Sequence, residues 1–239
     1  LASNGKAMIF IRLLLFLSLA YSITIQNFEI QFLGIPAAKV ILTTESIVFN
    51  NQPATSITFS TNAINLTKYI FNIDNNYNTI TSNNMKNIFS FKKYTYQPNV
   101  INNIQTSIIA NKVIYNNSSI EIPQDTFNIF SLLCFISRNK LQELEKFNIE
   151  REGLKYKGTI IPVDISDEKN TITYKLYLEE NYNAGDHPLI KYTDIFTWAL
   201  FKKESEKYIT INYNNNEIVE CIFQSGLIKM YAKNINYIN

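Results

Sequence analysis

The chain has 239 residues, 46% of them hydrophobic and 13% aromatic, which is ample for a sizeable core and excludes a disordered polymer. Lys and Arg total 22 against 20 Asp and Glu, a formal charge of +2. So even a balance lacks the basic footprint of a nucleic-acid-binding protein. Asn, Ile and Tyr recur throughout, which reads first as the base-composition bias of an AT-rich genome.

At the N-terminus, residues 1–7 (LASNGKA) read as translated upstream sequence ahead of Met8. Residues 8–22 have the form of a signal peptide. Arg12 precedes the apolar run Leu13 to Leu19, and Ala20 and Ser22 place small residues where a signal peptidase inspects them. The run is shorter than the roughly 20 residues that span a bilayer. The expectation is a cleaved peptide, a mature chain from Ile23, and a periplasmic or otherwise exported protein, with an uncleaved anchor as the alternative. No Cys follows the run, which argues against a lipoprotein anchor.

From Ile23 the pattern is β. "FEIQFLGIPAAKVILTTES" alternates apolar and polar residues on both sides of Gly34-Ile35-Pro36, which predicts a bulge or bend between two strand halves. "VFNNQPATSITFSTNA" predicts a hairpin turning at Asn50-Asn51-Gln52-Pro53. The stretch 67–97 holds two or three more strands, and "NNIQTSIIANKVIYNN" continues them.

Residues 122–140, "IPQDTFNIFSLLCFISRNK", break the rhythm. Pro123 precedes Asp125, a good N-cap. Phe127, Phe130, Cys134, Leu141 and Leu144 fall at helical spacings, with Ile129, Leu133 and Ile136 on the adjoining face. Asn128, Ser131, Arg138 and Gln142 leave only a narrow polar stripe, so the helix should be surrounded on most sides. The spacing predicts a helix from about 125 to 146, too short to cross a membrane, that caps or fills the sheet. After Gly153 the strands return: "LKYKGTIIPVDIS", "TITYKLYLEENY", "DIFTWALFKK", "KYITINYNNN", "EIVECIFQSG" and "LIKMYAKNINY". Residues 167–170 and 214–216 read as hairpin tips.

About ten or more strands at near-regular spacing, without alternating helices, predict an all-β fold. It would be one strongly curved antiparallel sheet, a half-open barrel or a sandwich, with one central helix packed on it. No Pro-, Gly- or Ser-rich linker divides the chain, so residues 23–239 are expected to form one domain.

In their order these segments resemble the bacterial exported family catalogued as domain of unknown function 3108. The likeness begins at "FLGIPAAKVILTT" and runs through "ATSITFSTNAINLTKYIFNIDNNYNTITS" and "FSFKKYTYQPN". It is best in "PQDTFNIFSLLCFISR", where Asp125, Ser131 and Arg138 match an Asp-led apolar helix ending in Arg. "DIFTWALFKKESEKYITINY" is similar to the family's Trp-containing strand, here with Trp198, and "FQSGLIKMYAKN" to its closing strand. The chain has Asn where the family has more Gly and Asp in its turns. The resemblance implies an exported, strongly curved antiparallel sheet or half-open barrel. It implies no activity and no catalytic residues.

The residues themselves offer little chemistry. The one histidine, His187, stands beside Asp186 in a turn-like Gly185 to Pro188, and sequence neighbours rarely form a catalytic pair. No nucleophile elbow, phosphate loop or His-Glu-x-x-His is present. Asp164, Asp167, Glu168, Glu179, Glu180 and Asp194 read as solvated charges in turns or on strands. Cys134 and Cys221, each among apolar neighbours, read as buried thiols, with a disulfide as the alternative. Metal binding by these residues lacks the usual close spacings. Asn65, Asn116 and Asn117 fit a glycosylation pattern that is discounted in a bacterial protein.

The expectation is therefore a non-enzymatic exported protein without cofactor, metal or nucleic acid, which binds a lipid or other apolar small molecule inside the curved sheet. The residues expected to form or line the interior are Asp125, Phe127, Phe130, Leu133, Ile136, Arg138 and Trp198. The alternative is a structural or assembly factor that meets envelope proteins or polysaccharide through a sheet edge or a Tyr/Asn-rich face. An apolar cavity of roughly several hundred Å³ favours the first, and a filled interior the second.

Overall fold

The computed structural model describes residues 22–64, 67–116, 118–181 and 189–237. Among these residues fifteen strands form one sheet in the order β8-β7-β6-β5-β4-β3-β2-β1-β15-β14-β13-β12-β11-β10-β9. The first arm runs β1 (Ile23–Phe32), β2 (Ile35–Phe49), β3 (Gln52–Ala63), the helical turn α1 (Thr67–Ile70), β4 (Asp74–Ser82), β5 (Ile88–Gln97), β6 (Val100–Ile109), β7 (Lys112–Tyr115) and β8 (Ser118–Glu121). Then come β9 (Thr126–Phe127) and α2 (Ile129–Arg138). The second arm is β10 (Glu145–Arg151), β11 (Leu154–Ser166), β12 (Thr171–Glu180), α3 (Ile195–Phe201), β13 (Glu206–Asn212), β14 (Glu217–Ser225) and β15 (Ile228–Asn234). Among the described residues all pairings are antiparallel except β9 with β10. β1 pairs with β15, Phe28 opposite Asn234 and Phe32 opposite Met230, so the two arms meet in mid-sheet. β8 and β9 are the two ends, and the sheet curls without closing.

Two-residue turns set the hairpins. Leu33-Gly34, Asn50-Asn51, Ala110-Asn111 and Glu152-Gly153 all have positive φ at both positions. The flanking residues pair directly, as in Phe32 with Ile35 and Phe49 with Gln52. These are the left-handed turns whose twist matches that of the strands they join. Asn tolerates this backbone, and Asn50, Asn51, Asn99, Asn111, Asn170 and Asn216 all adopt it. The Asn richness thus has a conformational use as well as a compositional source. Gly34 sits in a hairpin turn rather than at a bend between two halves of one strand. Irregularities at Ile30/Gln31, Ile80/Thr81, Pro162/Asp164 and Thr210/Ile211 bend their strands and help the sheet to curl.

The concave face holds the core. Helix α2 lies within it, with its residues Ile129 and Ser131 to Ser137 buried. The helix is shorter than the spacing predicts, and Asp125 does not cap it. Asp125 is exposed with φ 54, in the turn before β9, and Thr126-Phe127 pair in parallel with Asn148-Ile149. The cap is Asn128. Its Oδ1 accepts from the Ser131 N–H at 2.8 Å, Ser131 Oγ accepts from the Asn128 N–H at 3.2 Å, and Asn128 Nδ2 donates to Thr79 Oγ1 on β4 at 2.9 Å. At the far end Asn139 closes the last turn by donating from Nδ2 to the Phe135 carbonyl at 2.7 Å. Leu141 then exchanges two backbone hydrogen bonds with the Tyr174 hydroxyl, which fixes the exit from the helix, and Leu144 is exposed.

The stretch "DIFTWALFKK" forms helix α3, where the sequence pattern predicts a strand. Asp194 caps it, Oδ1 accepting from the N–H groups of Phe196 and Thr197, both at 3.0 Å. A short apolar run fits either period, and a cap of this strength decides it. Asn128→Ala should destabilise the fold by about 1–2 kcal/mol, because it removes the cap and the bond to Thr79, while Asp125→Asn should stay within about 0.5 kcal/mol. Urea unfolding of the two variants reads the difference.

Candidate ligand cavity

Alternation along the strands decides what faces inward. Phe28 and Ile30 on β1, Val40 on β2, Phe59 on β3, Ile209 on β13 and Phe223 on β14 all point into the concavity and are buried. Phe130 and Leu133 of α2 meet them from within, and Phe196, Ala199 and Leu200, one face of α3, close the side. Between these groups lies a cavity of about 160 Å³, partly open to solvent and walled almost wholly by carbon. Its few polar contributors include Thr61, Tyr77 and Lys207.

Phe130 anchors the helix side of this wall. Its ring lies 4.9 Å from Phe59, 4.5 Å from Tyr77 and 6.0 Å from Phe91, all on the first arm. On the opposite side of α2, Phe135 meets Phe127 at 5.3 Å and Phe147 at 5.8 Å.

The expected interior residues divide accordingly. Phe130 and Leu133 line the cavity. Phe127 and Ile136 are buried in the core outside its wall. Arg138 is exposed, donates to Thr44 Oγ1 at 3.2 Å and borders a separate polar pocket of about 250 Å³. Trp198 is 43% exposed, on the side of α3 away from the cavity and under the Lys202 ammonium at 5.0 Å. Cys134 and Cys221 are free, and burial pushes both thiols up to about 12. Cys221 contributes to the cavity wall.

Beside the cavity the interior turns polar. Lys93 of β5 is 1% exposed and faces inward. It pairs with Glu152, in the β10–β11 turn, and with Asp194 Oδ2 at 2.6 Å, and it donates to Thr193 Oγ1 at 3.1 Å. Burial alone would raise the Asp194 carboxyl, but the Lys93 ammonium and the Thr197 bonds hold it below its ordinary value. Burial, with the Asp194 charge second, drives the Tyr77 hydroxyl well up. Nearby, Tyr115 of β7 donates to Glu150 Oε1, which also accepts from the Gly153 N–H at 2.8 Å.

Of the carboxylates named from sequence, Asp164, Asp167, Glu168, Glu179 and Glu180 are exposed, whereas Asp194 is fully buried. Sequence reasoning missed Lys93, Glu150 and Glu152. A signal existed for Lys93: adjacent Lys92 and Lys93 in a strand must point to opposite faces, so one lysine enters the core. Among the described residues no group of three or more His, Cys, Asp or Glu could hold a metal ion. His187 and Asp186, Asn65 and Asn117, and the signal-like segment up to Tyr21 lie outside the described residues. Asn116 lies in the turn after β7. Among the described residues no helix is long and apolar enough to cross a membrane.

The chain is similar in fold to the crystal structure of a β-barrel-like protein of domain of unknown function DUF1849 from Brucella abortus, with a TM-score of 0.53 over 88% of this chain and 95% of that one. At 8% identity the likeness concerns the fold alone, and the neighbour carries a different designation from the family the sequence resembles. No family model matches the chain, and no curated protein matches it.

Glu150 gives the interior a pH signature. Burial pushes its carboxyl up to about 7, against the opposing bonds from Tyr115 and Gly153. A raised folded-state value means the protonated form is favoured on folding. The contribution is whole below the ordinary Glu value of about 4.3, and it is lost as pH rises through the folded value. Stability should therefore fall by on the order of 3 kcal/mol across that window, and Glu150→Gln should flatten the fall. Urea midpoints measured from pH 4 to 8 check this, and an unchanged slope in the variant would contradict it.

Proposed function

We propose that the chain is a non-catalytic, barrel-like binding protein that takes a small apolar molecule, or the end of a lipid-like chain, in the cavity between α2 and α3. The observation that carries this reading is the lining itself: aromatic and aliphatic side chains from both arms of the sheet and from both helices converge on one carbon-walled space. Its volume of about 160 Å³ is below that of a drug-sized pocket, ~300 Å³ and up, but near the ~150 Å³ that admits benzene. The occupant is accordingly small, or only part of it enters.

No enzyme chemistry is proposed. The buried carboxylates are tied to Lys93, Tyr115 or backbone, away from the cavity wall. The family resemblance and the signal-like residues 8–22 support an exported location. An assembly role remains the second reading, and one observation favours it. Phe32, Leu33, Ile35 and Leu227, all at least 40% exposed, cluster at two adjacent turn tips, where Leu33 N–H donates to the Lys229 carbonyl at 3.2 Å.

Toluene and hexanol, as neutral probes, should raise the melting temperature saturably, since a ligand that binds only the folded state stabilises it. Ala199→Leu, which fills the cavity from α3, should abolish the rise. No rise with either probe, together with no lipid in mass spectra of protein purified from its envelope, would refute ligand binding and favour the assembly reading. Export has its own check: N-terminal sequencing of the mature chain should begin near Ile23, and a retained Leu13 to Leu19 would leave an anchored protein.

A further inference from the structure

Two lysines run into the interior, and the protein treats them differently. Lys93, 1% exposed, lies between two carboxylates. Lys207, 3% exposed, has no carboxylate partner among the described residues. It stands on β13 on the same inward face as Ile209 and Ile211. Its Nζ donates to the carbonyls of Lys202 and Ser205, both at 3.1 Å. Those bonds use two of the three ammonium hydrogens.

Burial pushes the Lys207 amine down to about 8, with no opposite charge among the described residues to offset it. Lys207 also lines the apolar cavity, beside Phe196, Leu200 and Phe223. Closing the end of α3 accounts for the two carbonyl bonds, since cations suit a helix C-terminus. It does not account for an unneutralised charge in a carbon wall, because burying a charge is costly unless it is paired.

We infer that the cavity takes an apolar anion, a short-chain monocarboxylate whose hydrocarbon body fills the carbon-lined space and whose carboxylate pairs with Lys207 Nζ. The inference rests on the ligand-binding reading of this cavity and adds the chemical class of the ligand. The anion supplies the counter-charge that Lys207 lacks, and the open side of the cavity lets a longer chain extend outward.

Calorimetric titration with hexanoate and with hexanol tests it, since the two share a hydrocarbon body and differ in charge. The wild-type chain should bind hexanoate at least about tenfold more tightly than hexanol, the range of a hydrogen bond to a charged group. Lys207→Met should lose that preference, its hexanoate affinity falling to within about threefold of its own hexanol affinity. Equal affinities in the wild type, or a preference that survives in Lys207→Met, would overturn the assignment of the anion. Binding of hexanol alone would do the same and leave the cavity reading standing. Binding of neither would bring down the cavity reading and this inference with it. The wild-type comparison needs no variant, so a misfolded Lys207→Met would not shield the proposal.

Discussion

The curl of the sheet is held by charges. Lys93 belongs to the first arm, whereas Glu152 and Asp194 belong to the second, 59 residues and roughly 100 residues further along the chain. All three side chains are at most 5% exposed. Separating the arms without exposing them would strand charges in a medium of low polarity, and breaking a buried pair typically costs about 3–5 kcal/mol. Tyr115 and Glu150 repeat the arrangement between β7 and β10. The cluster is less than fully paired. Asn75 Oδ1, Thr95 Oγ1, Gln97 Nε2 and Glu152 Oε2 are buried without a hydrogen bond among the described residues, and Arg151 Nε is 3.6 Å from Glu152 Oε2.

Helix α2 follows from that curl. A curved sheet has a concave face too deep for its own side chains to fill, and a helix is a compact means of filling it without unpaired backbone groups. The two sides of α2 serve different arms. Phe130 packs on β3, β4 and β5, and Phe135 on β9 and β10. The capping residue is part of the same arrangement, since Asn128 closes the first turn and also docks on Thr79. Where α2 gives way to the shorter α3, the filling is incomplete, and the cavity is that shortfall.

The interior is thus divided. Around α2 and the strands on either side of the β1–β15 seam it is apolar, and beneath the β10–β11 turn and the start of α3 it is polar. Tyr77 spans both regions. Its ring stacks on Phe130 at the cavity, and its hydroxyl accepts from Asn75 Nδ2 at 3.0 Å on the polar side. The ion pairs that hold the arms together therefore lie outside the cavity, and among the described residues Lys207 is the one charge left in its wall.

Much of the fold was legible in the sequence. Alternation along most of residues 23–121 and 145–234 marks the strands, Asn50-Asn51 marks a hairpin turn, and a wide apolar arc marks a helix enclosed by its neighbours, whereas Gly34 reads as a bend and forms a turn. Phe130 and Leu133 were legible as interior residues for the same reason. Local pattern was a poorer guide where two readings share one period or one residue type. Asp125 and Asn128 both make good caps. Only the pairing of Thr126-Phe127 with β10 rules out the first, and that pairing involves residues 22 positions away. Residues 195–201 read as a strand until the Asp194 carboxylate, held by Lys93, closes a helical turn. Strand periodicity does determine that one of Lys92 and Lys93 points inward. Which carboxylates meet it, why Asp194 is buried while Asp164 and Asp167 stay exposed, and why Lys207 meets none among the described residues, only the tertiary structure decided. Such partners come from strands and turns that the curl brings together, and sequence patterns carry no information about distance across a sheet.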